Sequence, residues 1–266
     1  MPEITDIEFK QFQRFIYGAA GISLHDSKKA LVSGRLAKRL AACNIASYGE
    51  YLRLLNKGGR PDEMQTAVDL LTTNETYFFR EPKHFAFLRT QVTAEGGPRS
   101  PFRVWSAAGS TGEEAYSIAM VLEDCIPGKW EVMASDISTR VLSRACKGLY
   151  AMDRIDNFPA SYLTRFCLKG RGEQEGMMLV AAELRRKVKF ESINLNATLP
   201  SIGPFDIVFL RNVLIYFSME TKRAVVARVL NTLKPGGFLL IGHSESLSEV
   251  SSAVQPVAPA IYRRLA

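Results

Sequence analysis

The sequence predicts an α/β protein in parts: an all-α segment over residues 1–72, a linker over 73–98, and a mostly parallel sheet covered on both faces by helices over 99–266. Three observations predict it. Up to Leu71, apolar residues recur at helical spacing behind helix-start signals. From Phe102 onward, short apolar runs alternate with helical stretches, the rhythm of parallel strands joined by crossover helices. Between Tyr150 and Arg186 that rhythm breaks around Gly170, Gly172 and Gly176, which predicts a small antiparallel β subdomain inserted at about 151–186.

Each element has a local reason. Thr5 with Glu8 forms a capping box, and Phe9, Phe12, Phe15 and Ile16 then share one helical face. A second helix from Ser27 to Cys43 carries Leu31, Leu36 and Leu40 together with Lys28, Lys29, Arg35, Lys38 and Arg39. Lys28, Arg35 and Arg39 fall on one stripe, either a solvated face or a surface for an acidic partner. Ser47 with Glu50 opens a third helix that stops near Gly58 and Gly59, and Pro61 opens a fourth to about Thr72. After the glycine and proline punctuation of 96–101, strands are expected at 102–108, 130–136, 187–195, within 205–217 and after Gly237. Ser138 caps a helix through about Lys147, and a helix from Met219 to Leu233 ends at Pro235-Gly236-Gly237. The tail from Val254 to Arg264 adds antiparallel edge strands.

Composition bounds the class. The chain has 266 residues, 47% of them apolar, enough for a substantial core. No apolar run is long enough to cross a membrane and no signal-peptide pattern opens the chain, so a cytoplasmic location is expected. The four cysteines form no CxxC pair, and His25, His84 and His243 are scattered, so neither disulfides nor a metal is expected. A net charge of +7 favours an acidic partner: nucleic acid, an anionic membrane surface or an acidic protein.

The candidate chemistry lies just beyond the strands, where open parallel sheets bind ligands. The turn Gly109-Ser110-Thr111-Gly112 lets backbone approach a ligand at a helix N-terminus, but it is not the dinucleotide fingerprint. Glu113 and Glu114 follow it; they would repel a pyrophosphate and welcome a cation, which points from NAD toward S-adenosylmethionine, and they equally suit the first-turn helix dipole. Asp136 ends the second strand at a spacing suited to ribose hydroxyls, or serves as a helix cap. Asn194 and Leu195 are placed to edge an adenine ring. Arg211 and Asn212 interrupt an apolar strand and require a polar ligand or a buried network. Tyr216 follows as core or as a hydroxyl near the reaction centre. Asn74, Thr76 and Arg80, set among Tyr77, Phe78 and Phe79 just before the sheet, can fold over a bound nucleotide and present donors to it.

Together, LTTNETYFFRE, VWSAAGSTGEEAYSIAM, ASDIS, FDIVFLRNVLIYF and LKPGGFLLIGHSESL make the chain resemble the bacterial chemotaxis receptor methyltransferases. The resemblance implies an S-adenosylmethionine-dependent, Rossmann-like methyltransferase fold that methylates glutamate side chains on the cytoplasmic helices of methyl-accepting chemoreceptors. It implies cofactor contacts from Asn74, Thr76, Arg80, one or both of Glu113 and Glu114, Asp136, Asn194, Leu195, Arg211 and Asn212, with Arg80 and Tyr216 near the transferred methyl. The helix bearing Lys28, Arg35, Lys38 and Arg39 then gains an acidic receptor partner, and the insert with Gly170 and Gly172 resembles a subdomain that adds a receptor C-terminal peptide as a strand. A monomer suffices for that action, and the membrane enters only through the receptors.

Rival readings are a nucleic-acid methyltransferase, a non-catalytic S-adenosylmethionine sensor and a nicotinamide oxidoreductase. Amino-methylating enzymes of nucleic acids place an Asn/Asp-Pro-Pro-aromatic turn where this chain has Arg211-Asn212-Val213-Leu214, so no nucleic-acid partner is expected.

Overall fold

The computed structural model describes residues 3–57, 60–94, 101–155 and 158–265. The expected Gly58-Gly59 stop and most of the 96–101 punctuation lie outside the described residues.

The N-terminal part packs four helices: α1 (Asp6–Ala20), α2 (Lys29–Ala42), α3 (Tyr48–Asn56) and α4 (Pro61–Leu71). Thr5 and Glu8 close the capping box on α1, and Ser47 caps α3 through the Glu50 N–H. Phe12, Ile16, Leu36, Leu40, Tyr51 and Val68 meet in one buried cluster, with Phe15 only partly buried at its edge. Val32 takes the core position on α2, whereas Leu31 is 40% exposed. Val32, Leu36 and Leu40 complete an i, i+4, i+8 stripe, which leaves Leu31 off the core face.

The second part is built on a seven-stranded sheet. After helix α5 (Pro82–Thr93) come β1 (Phe102–Ser106), α6 (Glu113–Cys125), β2 (Trp130–Asp136) and α7 (Thr139–Lys147), capped by Ser138 as expected. The insert follows as β3 (Leu149–Ala151), α8 (Ala160–Phe166), β4 (Cys167–Lys169) and β5 (Met177–Val180). The chain then returns through α9 (Ala182–Lys187), β6 (Val188–Ser192), β7 (Phe205–Leu210), α10 (Met219–Leu230), β8 (Leu233–Ile241), β9 (Val254–Ala258) and β10 (Ile261–Arg264). The strand order is β6-β2-β1-β7-β8-β10-β9, parallel through β8 and antiparallel for β10 and β9. Alternate residues serve opposite faces: Val104, Ile207 and Phe209 face the core with α5 and α6, while Trp105, Val208 and Leu210 face the core with α10.

Two expectations are corrected. Pro235-Gly236-Gly237 is not a helix stop: α10 ends at Leu230, and the Lys-Pro-Gly-Gly run lies inside β8, with a register irregularity opposite Phe205 and Ile207. Residues 82–93 of the presumed linker form α5, whose Phe85, Leu88 and Val92 join the sheet core. The insert is the small antiparallel subdomain expected: β5 pairs with both β3 and β4, and α8 buries Tyr162 and Phe166 in the core.

Candidate functional site

The sheet reverses direction of growth at β1, with β2 and β6 on one side and β7 and β8 on the other. A cleft of about 340 Å³ opens beyond the carboxyl ends of these strands, as expected for a ligand at the switch point of an open α/β sheet. Both parts of the chain build it, since Ala20, Ile22, Leu24 and Lys28 line it together with residues following β1, β2, β6 and β7.

The turn after β1 is shaped for close approach. Gly112 has φ 95°, and a Cβ there would lie 2.8 Å from the Ala145 Cβ. The Ser110 N–H donates to Asp136 Oδ2 at 3.0 Å, and the Ser138 N–H donates to Oδ1 at 2.9 Å. Asp136 is thus buried at the end of β2, held by both neighbouring loops, and still lines the cleft. Burial pushes its carboxyl above the usual carboxylate range, against the pull of these backbone donors.

The geometry separates the two glutamates. Glu114 lines the cleft, accepting from Ser106 Oγ at 2.7 Å and from Arg211 Nη1 at 2.8 Å. Glu113 is buried off the cleft and accepts from Thr111 Oγ1 at 2.7 Å. Arg211 is the buried network that the sequence required. Its guanidinium bridges Glu114 and Glu81, whose Oε2 lies 3.0 Å from Nη2, and donates to the Arg80 carbonyl. The sequence reading missed Glu81, which also accepts from Asn212 Nδ2 at 3.4 Å and from the His243 N–H at 3.2 Å. The available signal was a carboxylate between Arg80 and Pro82 in a segment already singled out; its φ of 59° appears only in the structure. Glu245 was missed as well: it accepts the N–H groups of Asn212, Ile215 and Gly242 at 3.0, 3.1 and 2.6 Å, which fixes the loop after β7.

Asn74, Thr76 and Arg80 line the opposite wall. Phe78 and Phe79 anchor their segment in the core, against Tyr150 and Phe85 at ring separations of 4.9 and 5.2 Å. Asn74 accepts at its carbonyl from Ser110 Oγ at 3.0 Å, and Arg80 Nη1 donates to the Glu75 carbonyl at 3.1 Å. Tyr216 lines the cleft beside Thr73, with the Arg80 charge nearby; burial raises its phenol, so it stays a neutral donor. Leu195 offers an apolar wall. The Asn194 side chain is committed elsewhere, donating to the Ala19 carbonyl at 2.7 Å and accepting the Asn196 N–H at 2.9 Å, which clasps α1 to the loop after β6. Asn194 nonetheless lines the cleft, and its amide keeps a second N–H and a second acceptor lone pair.

The basic stripe on α2 divides. Arg35 donates to the carbonyls of Leu71 and Thr72 at 3.3 and 2.9 Å and so caps α4. Arg39 grips buried Glu63, with Nε 2.7 Å from Oε1, so its charge is paired within the protein, whereas the neutral partners of Arg35 leave its charge unneutralised. Lys38 is exposed, and exposed Lys28 lies at the cleft mouth. Gly170 and Gly172 are required by their own turn: a Cβ at Gly170 would fall 1.9 Å from the Gln174 carbonyl, and Gly172 has φ 58°. The adjacent β4 forms one edge of the small sheet, with Leu168 60% exposed.

Comparison with known proteins identifies the family. Residues 74–262 match the model described as CheR methyltransferase, SAM binding domain, and residues 7–72 match the CheR methyltransferase all-alpha domain. The chain is 42% identical over 253 residues to a chemotaxis protein methyltransferase of Escherichia coli K12, covering 93% of this chain and 87% of that one. It is 40% identical over 263 residues to chemotaxis protein methyltransferase 2 of Pseudomonas aeruginosa PAO1, covering 97% and 93%. The carboxylates lining the cleft suit a cofactor carrying a ribose and positive charge, and with matches over both parts the chain belongs to the CheR family of S-adenosylmethionine-dependent chemotaxis methyltransferases.

Proposed function

We propose that the chain transfers the methyl group of S-adenosylmethionine to glutamate carboxylates on the cytoplasmic helices of chemoreceptors, forming methyl esters for chemotactic adaptation. The observation that carries this reading is the polarity of the cleft. Buried Asp136 and half-buried Glu114 line its interior, while half-buried Arg80 and exposed Lys28 lie where an acidic side chain would enter.

When bound, the cofactor supplies an electrophilic methyl on sulfur and leaves as the neutral thioether. Asp136 has acceptor capacity left for ribose hydroxyls, Leu195 supports the adenine, and Glu114 balances the cofactor's positive charge. A glutamate carboxylate is already ionised near neutral pH, with a pKa of about 4.3, so no general base is needed. Arg80 directs that carboxylate by a charge-assisted hydrogen bond, and Tyr216 narrows its approach. Attacker and cofactor lose opposite charges together, so alignment and exclusion of water are the main contributions of the protein.

Lys28 and Lys38 supply the charge that meets the acidic receptor helices, and the free edge of β4 receives a receptor C-terminal peptide as an added strand. The deciding experiment incubates the protein with methyl-labelled S-adenosylmethionine and chemoreceptor-containing membranes, followed by mild alkali. Label on receptor bands that is released as methanol supports carboxyl esters. Alkali-stable label, or label in RNA, refutes the reading.

A further inference from the structure

His84 and His243 are 159 positions apart, yet the fold brings their rings to a centroid separation of 5.0 Å, edge to face, with Glu81 between them. His84 Nδ1 lies 3.4 Å and His243 Nε2 3.8 Å from Glu81 Oε2, and the three ligand atoms all fall within 4.8 Å of one another. Donors about 2.1 Å from a tetrahedral zinc centre are separated by about 3.4 Å, so a small contraction would bring this triad to coordination distance.

A second observation points the same way. His84 is fully buried, and neither of its ring nitrogens has a hydrogen-bond partner. Leaving a buried polar group unpaired is costly, and such a group calls for an explanation such as an ion or an ordered water. The nitrogen nearest Glu81 is aimed into the triad. His243 is 45% exposed and gives solvent a route to it. The second oxygen of Glu81 is held by the His243 N–H and by Asn212 Nδ2, so the carboxylate is oriented from outside, as ligating carboxylates generally are.

The opposing charge is Arg211, whose Nη2 lies 3.0 Å from the same Glu81 oxygen. It is shared with Glu114, so these three groups carry a formal net charge of −1 before any cation enters. We propose that Glu81, His84 and His243 form a binding site for a divalent transition-metal ion, with zinc as the best match to two imidazoles and one carboxylate, and that this site is coupled to the cofactor cleft through Arg211. Occupancy engages the Glu81 oxygen that Arg211 now holds and shifts that guanidinium toward Glu114. The cleft carboxylate is then more fully neutralised, and cofactor affinity falls. By linkage, the cofactor weakens zinc binding by the same factor.

The test uses the chelator-treated full chain titrated with ZnCl2 in a calorimeter, with Co2+ absorption as a second probe. The expected result is one equivalent of zinc, a Co2+ spectrum without a thiolate charge-transfer band, and zinc affinity at least tenfold weaker in His243→Ala. S-adenosylhomocysteine should bind more weakly to the zinc-loaded protein, and His243→Ala should remove that difference. No saturable zinc binding, or binding that persists in both His243→Ala and His84→Ala, overturns the site. Unchanged cofactor affinity in zinc-saturated protein overturns the coupling. These readouts require no receptor, so they are independent of the proposed methylation.

Discussion

Replacing Asp136 by Asn tests the cofactor site with a magnitude that can be worked out in advance. In the native protein each carboxylate oxygen accepts one backbone N–H, from Ser138 at 2.9 Å and from Ser110 at 3.0 Å. An asparagine amide can accept only one of them and turns its NH2 toward the other. The orphaned donor costs about 1–3 kcal/mol of stability. That penalty exists with and without cofactor, so it cancels from the binding free energy. The cost of losing a ribose hydroxyl's anionic acceptor remains, about 1.5–3 kcal/mol. S-adenosylhomocysteine affinity should therefore fall about 10- to 150-fold. Calorimetry measures the affinity, and thermal melting reads the stability loss separately, at about 2–4 °C per kcal/mol for a chain of this size. A folded variant whose affinity stays within about threefold of the parent, a difference under 1 kcal/mol, would refute the ribose assignment.

Burial raises the Asp136 carboxyl while only its ionised form holds the ribose, so cofactor affinity should be full above that raised pKa. It should fall on acidification from a pH above the usual aspartate range, a dependence that calorimetry should find absent in Asp136→Asn. Glu63 behaves oppositely toward folding: its hydrogen bond from Arg39 lowers its carboxyl from 4.5 to about 2. The stability this contributes, roughly 3 kcal/mol, is present above pH 4.5 and lost as pH falls toward 2, and urea titrations across that window should show the loss vanish in Glu63→Gln. Arg39→Met leaves the Glu63 charge buried without its partner and should cost about 3–5 kcal/mol in the same unfolding assay. Lys38→Glu, at a position outside the cleft lining, should slow receptor methylation and flatten its salt dependence with cofactor affinity intact; unchanged receptor kinetics would remove this lysine from recognition. Arg80→Met should lower receptor methylation by about 10- to 150-fold, the worth of one charge-assisted hydrogen bond, in steady-state kinetics.

Features with local causes were legible in the sequence. The capping box at Thr5 and Glu8, the Ser138 cap and the apolar run of β7 depend on neighbours a few residues away, and each appears where the sequence places it. The residues gathered at the strand ends were legible for the same reason, since an open parallel sheet has one ligand-binding end. What escaped depends on distant partners. Glu81 acquires meaning only when β7 brings Arg211 to it from 130 positions away. The α2 stripe looked uniform because spacing reports a shared face, whereas Glu63 and the end of α4 determine which of its charges are occupied. Asn194 lines the cleft as expected, but its bond to the Ala19 carbonyl, 175 positions away, could not be read from its neighbours.

That clasp between Asn194 and Ala19 bears on modularity. The helical part is a separate cluster by sequence and packing, which invites its treatment as a detachable receptor reader. Yet its α1 terminus buttresses the loop that carries Leu195, and Ile22 pairs as a bridge with Phe217 next to Tyr216. Excising it would remove a wall of the cofactor chamber along with any receptor surface, so the smallest catalytic unit of this chain includes both parts.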